Sequence, residues 1–108
     1  MSQCISEKPR SECGNLALLP DSEARELALM AHALSDPIRI QMIHLLGQTE
    51  NLCTCEFEEL LGLSQSKISY HLKQLLEAGI VKRQLFGTWS HYFLSDMTVL
   101  DRVKALYA

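Results

Sequence analysis

The stretch from Leu60 to Gly79, LLGLSQSKISYHLKQLLEAG, contains a helix-ending signal followed directly by a helix-starting signal. Gly62 is placed to end a short helix over residues 56–61, because glycine takes the left-handed conformation of a helix C-terminus at little cost. Ser64 is placed to begin the next helix, since its side-chain oxygen can accept a hydrogen bond from a free backbone N–H group. The stretch therefore predicts two helices joined by a tight turn.

The second of these helices has one apolar face. Its apolar residues recur at helical spacing, at Ile68, Leu72, Leu75 and Leu76. At about 100° per residue, the polar side chains point away from that face. Such a polar surface can enter a DNA major groove and reach phosphates and base edges. The candidate DNA-binding residues in this region are Ser64, Gln65, Ser66, Lys67, Ser69, Tyr70, His71 and Lys73.

A β-hairpin is predicted immediately after this helix. Residues 81–85 and 89–94 are rich in β-branched and aromatic side chains, and they flank a turn that contains Gly87. Lys82 and Arg83 on the first strand are candidates for phosphate contacts. The same two cations would also suit an ordinary solvated hairpin, but their position after a helix-turn-helix favours a DNA-binding wing. We predict a mainly α fold with a β-hairpin wing, a winged helix-turn-helix.

Length and composition narrow the protein class. A chain of 108 residues is sufficient for one domain, and a hydrophobic content of 47% excludes a disordered chain. No stretch approaches the roughly 20 apolar residues that a membrane span requires, and no signal peptide is visible. We therefore expect a cytoplasmic protein without membrane contacts. In a reducing cytoplasm, four cysteines favour metal binding or catalysis over disulfides.

The charge is distributed unevenly along the chain. Residues 1–64 carry four basic and ten acidic side chains, net −6, whereas residues 65–92 carry four basic and one acidic, net +3. Residues 93–108 carry two of each sign, so the total is −3. The positive charge is thus concentrated on the helix-turn-helix and wing, as expected for a surface that binds phosphates.

Further helices are predicted on both sides of this unit. Residues 1–20 show no periodicity and are expected to form a flexible arm that carries Cys4 and Cys13, ahead of a folded domain over residues 21–108. Asp36 and Pro37 are suited to the start of one helix, and Ser95 to the start of the last one. An earlier helix, capped by Asp21 or Ser22, is predicted to bury a stripe formed by Ala24, Leu27, Ala28, Ala31 and Leu34. The terminal helices would either form a dimer interface or complete the core of their own chain.

The pair Cys53-Thr54-Cys55 stands directly in front of the helix-turn-helix. On a regular helix the two thiols would lie about 200° apart, so both cannot be core residues. A helix N-terminus would also stabilise a thiolate. Metal or metalloid binding is the favoured interpretation, ahead of no functional role and of redox sensing. The four histidines show no persuasive pairing with each other or with carboxylates, which favours thiolate chemistry over an imidazole–carboxylate zinc site.

Five separate motifs occur in order along the chain: residues 34–39 (LSDPIR), 51–56 (NLCTCE), 63–72 (LSQSKISYHL), 76–79 (LEAG) and 87–92 (GTWSHY). Through these motifs the chain resembles the ArsR–SmtB family of metal-sensing repressors over roughly residues 22–107. The resemblance implies a homodimeric winged helix that binds a palindromic double-stranded operator and dissociates when its ion binds.

Within the family, the Leu-Cys-x-Cys motif resembles both the arsenite sensors and the CadC-type cadmium/lead sensors, and the Gly-x-Trp-x-His-Tyr wing resembles the arsenite branch. Many arsenite sensors carry a third cysteine where this chain has Glu58. The resemblance therefore implies that As(III) or Sb(III) binds Cys53 and Cys55 together with Cys13 or Cys4 from the arm. The alternative is Cd(II) or Pb(II) bound by all four thiols.

The expected mechanism follows from the helical placement of the two thiols. Because they would diverge on a regular helix, drawing both onto one ion would distort the start of that helix and disturb the recognition helix beside it. The alternatives are the cadmium/lead sensor and a regulator that forms a disulfide. A thiol enzyme is disfavoured, since we find no Cys-x-x-Cys in a thioredoxin-like βαβ pattern and no convincing nucleophile–base pair.

Overall fold

The computed structural model describes residues 14–107. Within that range five helices and three strands follow one another along the chain. They are α1 (Asp21–Ala33), α2 (Pro37–Leu46), β1 (Leu52–Cys53), α3 (Thr54–Leu61), α4 (Gln65–Glu77), β2 (Val81–Phe86), β3 (Trp89–Leu94) and α5 (Met97–Tyr107). Cys4 and Cys13 lie outside the described residues. The predicted helix-turn-helix is α3 and α4, and the predicted wing is β2 and β3.

The wing belongs to a small antiparallel sheet with strand order β1-β3-β2. The hairpin pairs Val81 with Leu94 at its base and Phe86 with Trp89 at its tip. The two-residue strand β1, which the sequence did not predict, adds to the other edge of β3 and pairs Leu52 with Tyr92. The sheet thereby connects the chain in front of α3 to the wing that follows α4.

Local capping explains most of the helix boundaries. Asp36 accepts a hydrogen bond from the Ile38 backbone N–H at 2.8 Å, with Pro37 in the first turn. Gly62 ends α3 at a φ of 66°, and Ser64 caps α4 by accepting from the Lys67 backbone N–H. These three predicted helix ends are confirmed. The helix α3 begins at Thr54, two residues earlier than predicted.

Two predicted caps are wrong. The residue before α1 is Pro20, and Asp21 is already helical. At α5 the Asp96 carboxylate accepts from the Thr98 backbone N–H at 2.9 Å, a typical cap interaction. The Ser95 hydroxyl instead donates to the backbone carbonyls of Gly79 and Ile80. Ser95 therefore ties the start of α5 to the turn between α4 and the wing.

A single hydrophobic cluster joins α2, α3, α4, the sheet and α5, and its most buried members include Met42, Phe57 and Ile68. The end of α2 lies tightly against α5, because a Cβ at Gly47 would come within 2.8 Å of the Leu100 side chain. Among the described residues, no helix is both long and apolar enough to span a bilayer.

The predicted buried stripe of α1 is largely exposed. Leu27 retains 57% of its surface, and α1 contacts the core only near its C-terminal end, through Met30, Ala33 and Leu34. Ala24, Ala28 and Ala31 are also exposed. At the other end of the chain, α5 buries Val99, Leu100 and Val103 but exposes Leu106. A single chain therefore leaves apolar surface uncovered on both terminal helices.

Candidate DNA-binding surface and thiol pair

The recognition helix α4 presents a polar surface beside its buried face. Ile68, Leu72 and Leu75 are buried, as predicted, and Ser64 at the cap is exposed. Tyr70 exposes 57% of its surface and its ring edge contacts the ring of His71. The other candidates on this helix that are exposed are Gln65, Ser66, Lys67, Ser69 and Lys73. These side chains are accessible to a DNA groove, and their contacts with DNA remain a prediction.

His71 is the exception, because its side chain is buried with only 6% exposed. Its Nδ1 accepts a hydrogen bond from Arg39 Nη1 at 3.0 Å, since an arginine can only donate. Burial lowers the pKa of His71; the positive charges of Arg39 and Lys67 act in the same direction, while Asp36 opposes them. Little of the His71 side chain is accessible to a DNA groove, and its contact with DNA stays a prediction. Its position three residues after Ile68 and four before Leu75 already placed it within the apolar stripe.

Arg39 is a structural residue that the sequence patterns did not reveal. It is 5% exposed, and its Nε donates to the Ala33 carbonyl at 2.6 Å. With the bond to His71, this one side chain connects the end of α1, the first turn of α2 and the middle of α4. The orientation of the recognition helix is thus fixed by hydrogen bonds as well as by apolar packing.

The wing carries its two candidate cations on consecutive residues. Lys82 and Arg83 are both exposed, and they pair with Phe93 and Tyr92 on β3. Because consecutive strand residues point to opposite faces, Lys82 and Arg83 cannot approach DNA from the same face of the hairpin. Their contacts with DNA phosphates remain a prediction.

The tip of the wing is apolar and exposed around Gly87, whose φ is 67°. Trp89 exposes 61% of its surface and Phe86, its partner across the hairpin, exposes 50%. The Phe86 ring packs edge-on against His91, with ring centroids 4.8 Å apart. The tip is therefore connected by ring packing to the middle of β3.

The two thiols lie side by side, which differs from the divergence predicted for a regular helix. Cys53 is the residue before α3 and has an extended backbone, with φ −87° and ψ 166°, so only Cys55 is within the helix. Cys53 is buried and Cys55 is exposed. Burial raises the pKa of Cys53 to about 11, and the neighbouring Cys55 thiol contributes as a hydrogen-bonding partner. The Cys53 thiol is therefore protonated at neutral pH, contrary to the predicted thiolate.

Cys53 and Glu56 together form a capping box. The Glu56 carboxylate accepts a hydrogen bond from the Cys53 backbone N–H at 2.9 Å, and the Glu56 backbone N–H is directed at the Cys53 sulfur. The bonds from Cys53 lower the pKa of Glu56. The helix α3 thus begins with a sulfur atom in the role that a serine or aspartate oxygen usually has.

The thiol pair is also joined to the wing. Cys53 pairs with His91 of β3, and the Asn51 side-chain oxygen lies 2.7 Å from His91 Nδ1. The sequence predicts neither a partner for His91 nor a role for Asn51. Neither contact has a local signal, because the two side chains are 40 residues apart in sequence.

Cys53 and Cys55 are predicted to supply two soft ligands to one ion. Between residues 14 and 107, no group of three or more histidine, cysteine, aspartate or glutamate side chains is arranged to hold a metal ion. The remaining candidate ligands, Cys4 and Cys13, lie outside that range. A complete site with three or four thiols remains a prediction.

The comparisons with known proteins agree with this architecture. Residues 36–83 match the arsR family of bacterial regulatory proteins. A HTH-type transcriptional regulator of Methanocaldococcus jannaschii is 39% identical over 74 residues, which are 68% of this chain and 79% of that protein. The chain belongs to the ArsR family. Members of this family are DNA-binding transcriptional regulators rather than enzymes, so the ArsR assignment and the regulatory class are both confirmed.

Other ArsR-family relatives have names that refer to ions. The arsenical resistance operon repressor of Bacillus subtilis is 42% identical over 67 residues, which are 62% of this chain and 64% of that repressor. The cadmium resistance regulator CadC of Listeria innocua is 29% identical over 71 residues, or 66% of this chain and 60% of CadC. The chain thus spans about three fifths of the length of these two relatives.

The fold is shared with solved ArsR-type structures. A homodimeric winged helix-turn-helix domain from Mycobacterium bovis aligns with a TM-score of 0.74 at 21% identity, covering 84% of this chain and 86% of that one. HlyU from Vibrio cholerae aligns with a TM-score of 0.72 at 26% identity, covering 82% and 95%. The winged helix-turn-helix prediction is confirmed.

Proposed function

We propose that this ArsR-family regulator is a repressor that binds operator DNA and is released when As(III) or Sb(III) binds its cysteine thiols. The observation that carries the proposal is the adjacent pair Cys53 and Cys55 at the start of α3. The helix α3 packs directly on α4, and Phe57 and Ile68 belong to the same hydrophobic cluster. An ion at the thiols therefore acts on an element in contact with the recognition helix.

The protonation state of Cys53 favours a metalloid over a divalent cation. Arsenous acid, As(OH)₃, is neutral, and it condenses with protonated thiols to form As–S bonds and water, without releasing a proton. A divalent cation must displace the proton from each thiol that it binds. Because burial raises the pKa of Cys53, that displacement lowers the affinity for a divalent cation at neutral pH. The arsenical resistance repressor among the relatives supports the same inducer.

Two neighbouring thiols leave the third coordination position of As(III) open. Glu58 stands where many arsenite sensors have a cysteine, so we propose that Cys13 supplies the third thiol, with Cys4 as the weaker candidate. Cys13 is eight residues from Asp21, a span of at most about 26–29 Å, which suffices to reach the partner subunit of a small dimer. The proximity of Cys53 to Cys55 and the length of the chain between Cys13 and Asp21 support this arrangement.

The exposed terminal helices support a homodimer. Leu27 on α1 and Leu106 on α5 retain most of their surface in the single chain, and burying such surface against a second copy would stabilise both subunits. A symmetric dimer presents two recognition helices to half-sites about 34–36 Å apart, so its operator would be a palindrome. Small rotations of α4 would then weaken binding at both half-sites.

A Cd(II) or Pb(II) sensor that uses all four cysteines is the second candidate. The CadC relative favours it, although its identity to this chain is 29%, against 42% for the arsenical repressor. A disulfide-forming regulator is a third class, and the protonated Cys53 thiol weighs against it, because the thiolate is the reactive species.

The test is to titrate operator-bound protein separately with As(III), Sb(III), Cd(II), Zn(II) and a mild oxidant. Fluorescence anisotropy of labelled operator DNA measures the release of the DNA in each titration. We expect As(III) and Sb(III) to release the operator at the lowest concentrations and Zn(II) and the oxidant to have little effect. Release by Cd(II) at lower concentrations than As(III) would replace the proposal with the cadmium sensor. Release by the oxidant alone would replace it with the redox regulator.

A further inference from the structure

The thiol pair is connected to the wing by a route that bypasses α4. Cys53 lies opposite His91 in the antiparallel pairing of β1 with β3. Two residues earlier in the chain, the Asn51 side-chain oxygen lies 2.7 Å from Nδ1 of the same histidine. His91 in turn packs against Phe86 at the wing tip. One imidazole therefore contacts both the strand that leads into the thiol site and the tip of the wing.

We propose that inducer binding is transmitted to the wing through Asn51 and His91, which act as positioning residues between the thiol pair and the DNA-binding hairpin. This inference rests on the proposed function, because it describes how occupancy of the same thiols changes operator affinity. The packing of α3 on α4 already implies that ion binding acts on the recognition helix. The wing would be a second DNA-binding element that responds to the same ion.

Ion binding must displace Cys53 from its present position. Its sulfur now faces the Glu56 backbone N–H in the capping box, and its side chain is only 7% exposed. Condensation would replace the S–H bond by an As–S bond and leave the electron pair that faces the N–H group in place, so the displacement follows from space. The bound ion would require room for arsenic and its other ligands beside an atom whose side chain is only 7% exposed. Cys53 therefore moves outward or rotates when it coordinates the ion.

The strand β1 is too short to absorb that movement. It consists of Leu52 and Cys53 alone, so a shift of Cys53 displaces half of the paired strand. The Asn51–His91 contact holds the chain just before the strand to β3. A displacement of Cys53 therefore shifts His91 by two routes. One is the strand pairing of Cys53 with His91, and the other is the contact between Asn51 and the His91 ring. The change reaches β3 at a residue whose ring supports the wing tip.

The chain contains a natural reporter for this movement. Trp89 is its single tryptophan and pairs with Phe86, the residue whose ring packs on His91. Trp89 is 61% exposed, so its emission responds to changes in the packing and hydration of the wing tip. As(III) should therefore change Trp89 fluorescence in the full-length protein without DNA.

The experiment compares the wild type with Asn51→Ala, His91→Ala and the control Gln84→Ala. Gln84 pairs with His91 from β2, which lies on the other side of β3 from β1, so it matches His91 in its position on the wing. For each protein we would measure As(III) binding by equilibrium dialysis, Trp89 emission, and operator affinity with and without saturating As(III). Asn51→Asp serves as a conservative variant, because its carboxylate still offers an acceptor oxygen to His91.

We expect Asn51→Ala and His91→Ala to bind As(III) within about threefold of wild type but to lose the Trp89 response. An allosteric ligand typically changes the affinity for a second ligand by roughly 5–150-fold. The ratio of the operator affinity without As(III) to that with As(III) should fall at least fivefold in both variants. Gln84→Ala and Asn51→Asp should keep the wild-type ratio and response.

Two results would overturn the inference while leaving the proposed function intact. One is a wild-type ratio in both alanine variants. The other is Trp89 emission in the wild type that does not change at saturating As(III), a result that needs no variant and so holds even if a variant fails to fold. If the wild type itself binds no As(III), or keeps its operator when As(III) is bound, it is the proposed function that fails.

Discussion

Arg39 on α2 donates a hydrogen bond from Nη1 to Nδ1 of His71 on α4 across 3.0 Å, and both side chains are buried. The bond joins the scaffold to the middle of the recognition helix. It also holds the imidazole neutral, because a protonated ring could not accept from the guanidinium. The helix that is predicted to enter DNA is therefore anchored by a residue outside the helix-turn-helix.

The first prediction concerns this anchor. Arg39→Met keeps the aliphatic volume but leaves His71 and the Ala33 carbonyl without their donor, which should cost about 1.5–3 kcal/mol of unfolding free energy. Urea unfolding at fixed protein concentration measures it. The control is Arg25→Met, which removes an ion pair to Asp21 whose side chains are about 80% exposed and should cost little. Equal losses in the two variants would contradict an anchoring role for Arg39.

The second prediction concerns the thiols. Cys53→Ser and Cys55→Ser should each retain operator binding but lose release by As(III), because serine preserves size and removes the soft ligand. Anisotropy titrations of labelled operator measure both properties. Thr54→Ser, which changes the residue between the thiols, is the control and should respond as wild type does. Normal As(III) release in either cysteine variant would exclude the two-thiol site.

The third prediction uses pH to distinguish the inducers. Cys53 has a pKa raised to about 11, so it stays protonated between pH 6 and pH 8. When As(OH)₃ binds, each thiol proton leaves with a hydroxide of the arsenous acid as water, so no net proton is released. The affinity for As(III) should therefore change less than about threefold over that range. Cd(II) affinity should rise about tenfold per pH unit for each thiol deprotonated. Isothermal titration in buffers of different ionisation enthalpy counts the released protons, and a proton count above one for As(III) would contradict the condensation chemistry.

The fourth prediction concerns the arm. Cys13→Ser should weaken the As(III) response strongly and Cys4→Ser weakly, whereas a Cd(II) or Pb(II) site would depend on both. Deleting residues 1–14 should leave folding and operator binding intact. X-ray absorption at the arsenic edge counts the sulfur ligands, and we expect three in the wild type and two in Cys13→Ser. A full As(III) response in the deletion variant would leave Cys53 and Cys55 as the whole site.

The fifth prediction concerns the wing. Lys82→Ala should weaken binding to all DNA sequences alike and lower the slope of log affinity against log salt by about one. Lys104→Ala changes an exposed cation on α5, far along the chain from the wing, and serves as the control whose slope should not change. A wild-type slope for Lys82→Ala would remove this strand from the DNA contact surface.

The parts of the fold that were predictable from the sequence are those with local signals. Gly62 and Ser64 define the turn of the helix-turn-helix, and Asp36 defines the start of α2, because a cap forms between neighbours in the chain. The hairpin was equally predictable from the sequence, since its two strands flank one turn that contains glycine. The spacing of the two thiols in the chain was visible too, but not their proximity in the fold or the raised pKa of Cys53, which depends on burial.

Three features of the structure have no sufficient signal in the sequence. The burial of His71 depends on its partner Arg39, which lies 32 residues away, although the spacing of His71 already places it in the apolar stripe. The α1 stripe is apolar, but it is not buried against the core of its own chain as predicted. Periodicity identifies an apolar face and not the surface that covers it. The strand β1 has only two residues, too few to form a pattern.

The sulfur cap at the start of α3 has a genetic consequence. Serine is a better helix cap than cysteine, and a single base change converts a cysteine codon to a serine codon. Replacement of Cys53 by serine would therefore remove the proposed inducer ligand while keeping or strengthening the start of the helix. Such an allele would leave its regulated genes permanently repressed, and because its subunits would still pair with normal ones, it would be dominant in a cell that carries both.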